Sequence, residues 1–205
     1  MRPRGSDAPD PTLRLIDLVG EARDAAIPIL KESFTGYYRW HAKRTLREIA
    51  EARAAVRNGT IAGVALLEPL LPQVGYVYYL FVARTERRRG IGGRLLDDAI
   101  RRFRRSGAVI VYAAAETENR PSVRLLESRG FRATARKELG WQDGGMGAWG
   151  LRSRMRVIGG EVLFGLRLDG VVSRPERTLP VRGRSTERPD RPELPPTVRA
   201  GSSGR

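Results

Sequence analysis

The sequence predicts a mixed α/β fold of the α+β kind, in which one sheet contains antiparallel and parallel strand pairs and helices flank it. Two observations predict it. Asn58-Gly59 separates two strand-like runs, Ala52 to Arg57 and Thr60 to Glu68, and this dipeptide accepts the positive φ of a two-residue hairpin turn, so the runs pair antiparallel. Between Gly75 and Ala115 a strand-like run, a helical run and a second strand-like run follow one another, and such a unit joins parallel strands by a right-handed crossover.

Leu13 to Leu18 reads as the first strand, followed by helical segments over Glu21 to Lys31 and Tyr38 to Ile49. After the hairpin and the prolines Pro69 and Pro72, Gly75 to Val82 has the aromatic and β-branched composition of a buried strand. From Ile91 the apolar residues Leu95, Leu96, Ala99, Ile100 and Phe103 recur at helical spacing, while Arg94, Asp97, Asp98, Arg101 and Arg105 take the opposite face. Gly107 ends this helix and Val109 to Ala115 is the next strand. Asn119 and Pro121 supply an N-cap and an early helical proline for a short helix over Val123 to Arg129, which Gly130 stops. Phe131 to Leu139 and Glu161 to Leu168 read as the last two strands. Between them, Met146, Trp149, Leu151, Met155 and Ile158 suggest an extra helix near the glycine-rich stretch that begins at Gly140.

A chain of 205 residues, 40% of them hydrophobic, suffices for one core. Residues 1–11 and 171–205 have no apolar period and are rich in proline and other disorder-promoting residues, so both are expected to be disordered, leaving 12–170 as the domain. No apolar run long enough for a membrane span and no signal-like N-terminal stretch occur, which favours a cytoplasmic protein without a membrane partner. Cysteine is absent, which excludes disulfides and a thiol nucleophile. With His41 as the single histidine, no metal site is expected, and His41 reads as an ordinary surface or packing residue. The net charge of +15 is spread along the chain. Nucleic acid is a possible partner through the arginine-rich tail but is not favoured over a compositional origin of the charge.

Arg87-Arg88-Arg89-Gly90-Ile91-Gly92-Gly93 joins the strand ending at Val82 to the following helix. Backbone N–H groups at a helix start lack intrahelical partners and attract anions, glycines clear the approach and arginines add charge. Such a cradle suits phosphate, although a glycine turn that merely allows tight packing would look alike. A nucleotide-hydrolase loop is excluded because Arg94 and Leu95, not Lys and Ser or Thr, follow Gly93. A dinucleotide fingerprint is excluded because Leu95 stands where a third glycine is required.

The pattern that fits is Arg-x-x-Gly-x-Gly at Arg87, Gly90 and Gly92, preceded by Leu80-Phe81-Val82 and followed by Asn119 and then Gly130-Phe131. In these features the chain resembles the GNAT superfamily of N-acetyltransferases, from about Leu13 to Leu168. The resemblance implies a GNAT-like, mostly antiparallel sheet with a central parallel pair splayed between the strands ending at Val82 and Ala115, and acetyl-CoA in the gap. It implies that the backbone of Leu80, Phe81 and Val82 pairs with the pantetheine arm. The loop Arg87, Arg88, Arg89, Gly90, Ile91, Gly92 and Gly93 would hold the pyrophosphate, and Asn119 would contact the cosubstrate near its thiol end. The implied activity is acetyl transfer to a primary amine of a small molecule, peptide or protein, by direct attack in a ternary complex.

The catalytic groups are less marked. Family members often carry a tyrosine where Leu126 stands, and glutamates where Tyr76 and Ala114 stand. Glu116 is the carboxylate nearest the expected cleft and the candidate base, with a solvated strand end as the alternative reading. Tyr78 shares a strand face with Tyr76 and is a second candidate, for ordering water or binding acceptor, with aromatic packing as its alternative. Glu68 is more remote. A non-catalytic CoA-binding regulatory module therefore stands as an alternative function, and Tyr37, Tyr38 and Trp40 either shape an acceptor pocket or pack.

Overall fold

The structure is a computed structural model that describes residues 12–134, 154–155 and 160–168. In chain order it contains β1 (Leu13–Asp17), a 3-10 segment (Gly20–Ala26), α1 (Ile27–Ser33), α2 (Gly36–Glu48), β2 (Glu51–Arg57), β3 (Thr60–Leu71) and β4 (Val74–Val82). A second 3-10 segment (Arg84–Glu86), α3 (Ile91–Arg105), β5 (Ile110–Glu116), α4 (Arg120–Ser128), β6 (Arg132–Ala133) and β7 (Glu161–Arg167) follow. The seven strands form one sheet in the order β1-β2-β3-β4-β5-β7-β6. Every neighbouring pair is antiparallel except β4 with β5, as the crossover and the hairpin signal require. Asn58 and Gly59 hold φ of 49° and 78° in the β2–β3 turn, the left-handed geometry for which this dipeptide is suited.

α3 covers one face of the sheet. Leu95, Leu96, Ala99 and Phe103 are buried against β3, β4 and β5, and burying each large apolar side chain contributes roughly 1.5–3 kcal/mol. The approach is close because two glycines lie beneath the helix. A Cβ on Gly75 would stand 2.5 Å from the Phe103 ring, and one on Gly63 would stand 3.1 Å from Leu95. At the β1–β2 edge, buried Arg53 bonds Asp17 and Asp98, each at 2.8 Å, and Arg102 reaches Asp17 at 2.8 Å and Glu51 at 3.0 Å. These pairs fix α3 laterally. α1 and α2 cover the other face through Leu30, Ala42 and Leu46, packed with Leu66 and Phe81.

Several boundaries differ from the sequence reading. The single helix expected over Glu21 to Lys31 is a 3-10 segment followed by α1, whose Pro28 lies in the first turn, where a missing N–H does least harm. β3 runs past Pro69 to Leu71, with an irregularity between Pro69 and Leu71, the usual condition for proline in a strand. Of the strand expected over Phe131 to Leu139, Arg132–Ala133 pairs with β7, and residues 135–139 lie outside the described residues. The expected extra helix lies outside them too, apart from helical Arg154 and Met155, as do the two expected disordered ends at 1–11 and 171–205. No helix among the described residues is long and apolar enough to cross a membrane.

Candidate active site

The parallel ladder between β4 and β5 is short: Val74 to Val77 pair with Ile110 to Ala113, although β4 continues to Val82 and β5 to Glu116. Beyond Val77 the strands part and leave a cleft of about 340 Å³. A bulge in β4 sits at the fork, because Leu67 faces Val77 and Leu66 faces Tyr79, so Tyr78 is the extra residue. The bulge resets the alternation. Tyr76, Tyr78, Tyr79 and Phe81 all belong to the clusters on the α1–α2 side, while Val77, Leu80 and Val82 pack on the α3 side. Residues 78–82 have no ladder partner on β5, and that strand edge can accept an extended ligand through backbone hydrogen bonds.

At the far end of this edge stands the glycine loop. Gly90 caps α3 with φ of 78°, and the amides of Ile91, Gly92 and Gly93 precede the first intrahelical bond, from Arg94 N–H to the Gly90 carbonyl at 3.0 Å. Arg88 holds φ of 65°, a strained conformation for a residue with a Cβ, costing about 1–2 kcal/mol. The three arginines divide their roles. Arg87 donates from Nε to the Val82 carbonyl at 3.1 Å and braces the loop, and Arg89 lies 3.7 Å from Glu86. Among the described residues Arg88 has no ion-pair or hydrogen-bond partner. The Ile91 side chain is buried in the core, which leaves only its backbone to face a ligand. Phe81 is likewise buried, edge-on to Phe34 at 5.6 Å.

The opposite wall is aromatic and acidic. Glu116 and Glu161 are directly opposed in the β5–β7 ladder, and the charges of both act on the Tyr38 hydroxyl. Burial, then the charges of Glu161 and Glu116, push that hydroxyl up to about 12. His41 is buried, bonded through Nδ1 to the Tyr79 hydroxyl at 2.9 Å and stacked on Tyr78 at a ring separation of 5.9 Å. Burial also raises the Tyr76 and Tyr79 hydroxyls.

α4 closes the cleft from the α3 side. Asn119 caps it by accepting the Ser122 N–H at 3.3 Å, so its side-chain carbonyl has a structural use while the residue also lines the cleft. Leu126 is buried in the same wall and offers neither proton nor charge.

The structure brings together Tyr78, Leu80, Glu116 and Asn119 as lining residues, and it sets Gly90 to Gly93 at the adjoining start of α3. It leaves Glu68 apart, in a second cavity of about 270 Å³ with Arg44, Glu48 and Arg154. Sequence reasoning missed three contributors: Tyr38 and Glu161 as partners of Glu116, and His41 as a member of the cleft wall. The aromatic cluster Tyr37, Tyr38 and Trp40 was the available signal for the first. For Glu161 no local signal exists, because its position follows from strand register.

A model of the acetyltransferase (GNAT) family matches residues 21–131. Among solved structures, the ribosomal-protein-S18-alanine N-acetyltransferase from Escherichia coli is 18% identical, with a TM-score of 0.57 over 82% of this chain and 98% of that one. A GNAT family acetyltransferase from Elizabethkingia anophelis with acetyl-CoA bound is 18% identical, with a TM-score of 0.57 over 77% and 99%. Ard1 from Thermoplasma volcanium is 17% identical, with a TM-score of 0.59 over 77% and 98%. At these identities the likeness is one of fold. No curated protein matches the chain.

Proposed function

Because the chain belongs to the GNAT acetyltransferase family, we propose that it transfers an acetyl group from acetyl-CoA to a primary amine by direct attack in a ternary complex. The observation that carries this reading is the β4–β5 fork, with an unpaired strand edge leading to a glycine-cleared helix start. The residues suit acetyl-CoA. Three helix-start amides and Arg88, which has no partner among the described residues, offer donors and charge to a pyrophosphate, and Gly90 and Gly92 keep bulk away from them. The edge at residues 78–82 offers backbone groups to an amide-bearing arm. Asn119 faces the same cleft.

When bound, acetyl-CoA supplies an activated thioester whose carbon–sulfur bond breaks as the acceptor nitrogen forms the new amide. The protein must deliver that nitrogen as a neutral amine, although a lysine-type amine is protonated below a pKa near 10.4. Glu116 is the candidate to take the proton, directly or through water ordered by Tyr78. A backbone N–H of the unpaired β4 edge stabilises the developing oxyanion, and the walls align the two reactants. Leu126 cannot protonate the departing sulfur, so that proton returns through water or through the hydroxyls of Ser122 and Tyr78, which line the cleft.

Leu126 also favours a second reading, a CoA-binding module that transfers nothing. Mass spectrometry of products from acetyl-CoA and a mixed amine and peptide panel separates the two. An acceptor gaining one acetyl group supports the transferase, whereas CoA binding with no modified acceptor supports the module.

A further inference from the structure

α4 carries its cleft residues on one stripe. Ser122, Leu125 and Leu126 line the cleft, at the spacing that places side chains on a single helical face. Arg129, the C-cap residue of α4, is the next position on that face. Its guanidinium forks onto Asp97 of α3, with Nε donating to Oδ1 at 3.0 Å and Nη2 to Oδ2 at 3.2 Å, and Nη1 donates to the Ser128 hydroxyl at 3.0 Å. A helix of nine residues is too short to hold its form and place alone, so the position of α4 depends on such anchors.

Two further observations tie this anchor to the glycine cradle. Gly93 is the third residue of α3, where alanine would favour the helix more, yet a Cβ there would stand 2.5 Å from Arg129 Nη2 and 3.2 Å from its Cζ. The guanidinium therefore lies against the bare backbone of Gly93, one helical turn before Asp97. At the adjoining Gly92 a Cβ would meet Leu125 of α4 at 3.4 Å, and Leu80 and Val82 of β4 at 3.5 and 3.8 Å. The start of α3, the unpaired β4 edge and α4 thus converge at one point, and a shift of α4 there changes the width of the cleft.

We propose that Arg129 is a positioning residue for CoA. Clasped to Asp97 across Gly93, it sets α4 against the start of α3 and so fixes the arm-binding part of the cleft relative to the pyrophosphate cradle. This rests on the acetyl-CoA reading of that cleft. The cradle glycines then divide: Gly90 and Gly92 leave room for the ligand, and Gly93 leaves room for the clasp. Because Asp97 offsets the guanidinium charge at close range, the clasp acts through geometry and not by attracting phosphate.

The test is calorimetric titration of CoA, and of ADP as a pyrophosphate without the arm, into the full chain and three variants. Arg129→Met removes a positive charge, Asp97→Asn a negative one and Gly93→Ala neither, yet each breaks the clasp. All three are expected to weaken CoA by about three- to fivefold, the upper worth of one partly exposed ion pair, and to leave ADP unchanged. Gly93→Ala combined with Arg129→Met should bind CoA no worse than either alone, because both act on one contact. A further loss in that double variant would show that Gly93 faces the ligand instead and would overturn the proposal. So would unchanged CoA affinity in folded variants, or equal losses for CoA and ADP. Weaker binding by Arg129→Met with tighter binding by Asp97→Asn would show that charge and not position matters, and also defeats it. Gly93→Ala gains helix propensity and keeps the test open should a charge variant fail to fold. Where ADP is too weak to titrate, the signs of the three CoA changes decide alone. No CoA binding by the wild-type chain defeats the acetyl-CoA reading and this proposal together, whereas CoA binding indifferent to all three variants defeats this one alone.

Discussion

His41 Nδ1 lies 2.9 Å from the Tyr79 hydroxyl, tying α2 to β4 next to the bulge that opens the cleft. The Thr45 hydroxyl is 3.3 Å from the same nitrogen and is the weaker partner. Tyr79→Phe removes the shorter bond while keeping the ring that packs on Phe34 at 5.1 Å. The expected cost is about 1 kcal/mol, the usual net value of one buried hydrogen bond, read from urea unfolding. No loss of stability would mean that Thr45 takes over fully.

Gly92 separates fold from ligand. A Cβ there would meet Leu125 at 3.4 Å and Leu80 at 3.5 Å, ordinary contacts, so Gly92→Ala should fold normally. Gly92→Glu places a negative charge in the first turn of α3, where it favours the helix by about 0.3–1 kcal/mol. The same charge opposes a pyrophosphate, and like-charge juxtaposition costs several kcal/mol. Gly92→Glu is therefore expected to match or exceed the wild-type melting temperature and to lose CoA affinity by about 100-fold or more. Wild-type affinity in the folded variant would remove the loop from the proposed site.

What the sequence disclosed and what it hid divide along chain separation. The α2–β2 boundary, the Asn58-Gly59 turn and the apolar stripe of α3 are local patterns, readable from neighbours in the chain. The cradle was legible for the same reason, since its arginines, glycines and helix start are contiguous. The bulge at Tyr78 was not, because it is a property of the β3–β4 register and moves Leu80 and Val82 to the face opposite the one simple alternation with Tyr76 and Tyr78 gives. Glu161 meets Glu116, and both meet Tyr38, only after β7 and α2 have docked on β5. Composition counted these carboxylates within a basic chain and could not tell that they share one wall. His41 read as unremarkable because burial and partners, not residue type, define its place.

Arg23 closes the end of α2. Its guanidinium donates to the carbonyls of Leu18 at 3.1 Å, Leu46 at 3.3 Å, Arg47 at 3.0 Å, Ile49 at 2.8 Å and Ala50 at 3.4 Å. The last carbonyls of a helix lack intrahelical partners and sit at its negative end, so a planar cation with several donors is well suited there. Arg23→Ala should cost about 2–3 kcal/mol and Arg23→Lys about 1 kcal/mol, since lysine keeps the charge and loses the fork. Equal losses in denaturant unfolding for the two variants would show that charge alone is immaterial.

The tyrosines of the cleft give the fold an alkaline limit. The Tyr38 hydroxyl is pushed up to about 12 by burial first and then by Glu161 and Glu116. Burial raises Tyr76 and Tyr79 further, with Glu161 adding to both. In the unfolded chain these hydroxyls ionise near pH 10. Between that pH and their folded values the unfolded state has released protons that the folded state still holds, so folding stability falls as pH rises. The contribution is fully present below about pH 10 and is lost progressively toward pH 12 and above, by up to about 1.4 kcal/mol per pH unit for each such tyrosine. Urea unfolding from pH 9 to 11.5 measures the slope. Tyr38→Phe should make it shallower by removing one group, and Glu161→Gln should do so by a smaller amount through Tyr38, whose folded value lies nearest the measured range and whose rise Glu161 adds to after burial. A slope identical in wild type and both variants would show that these hydroxyls titrate alike in the folded and unfolded chain.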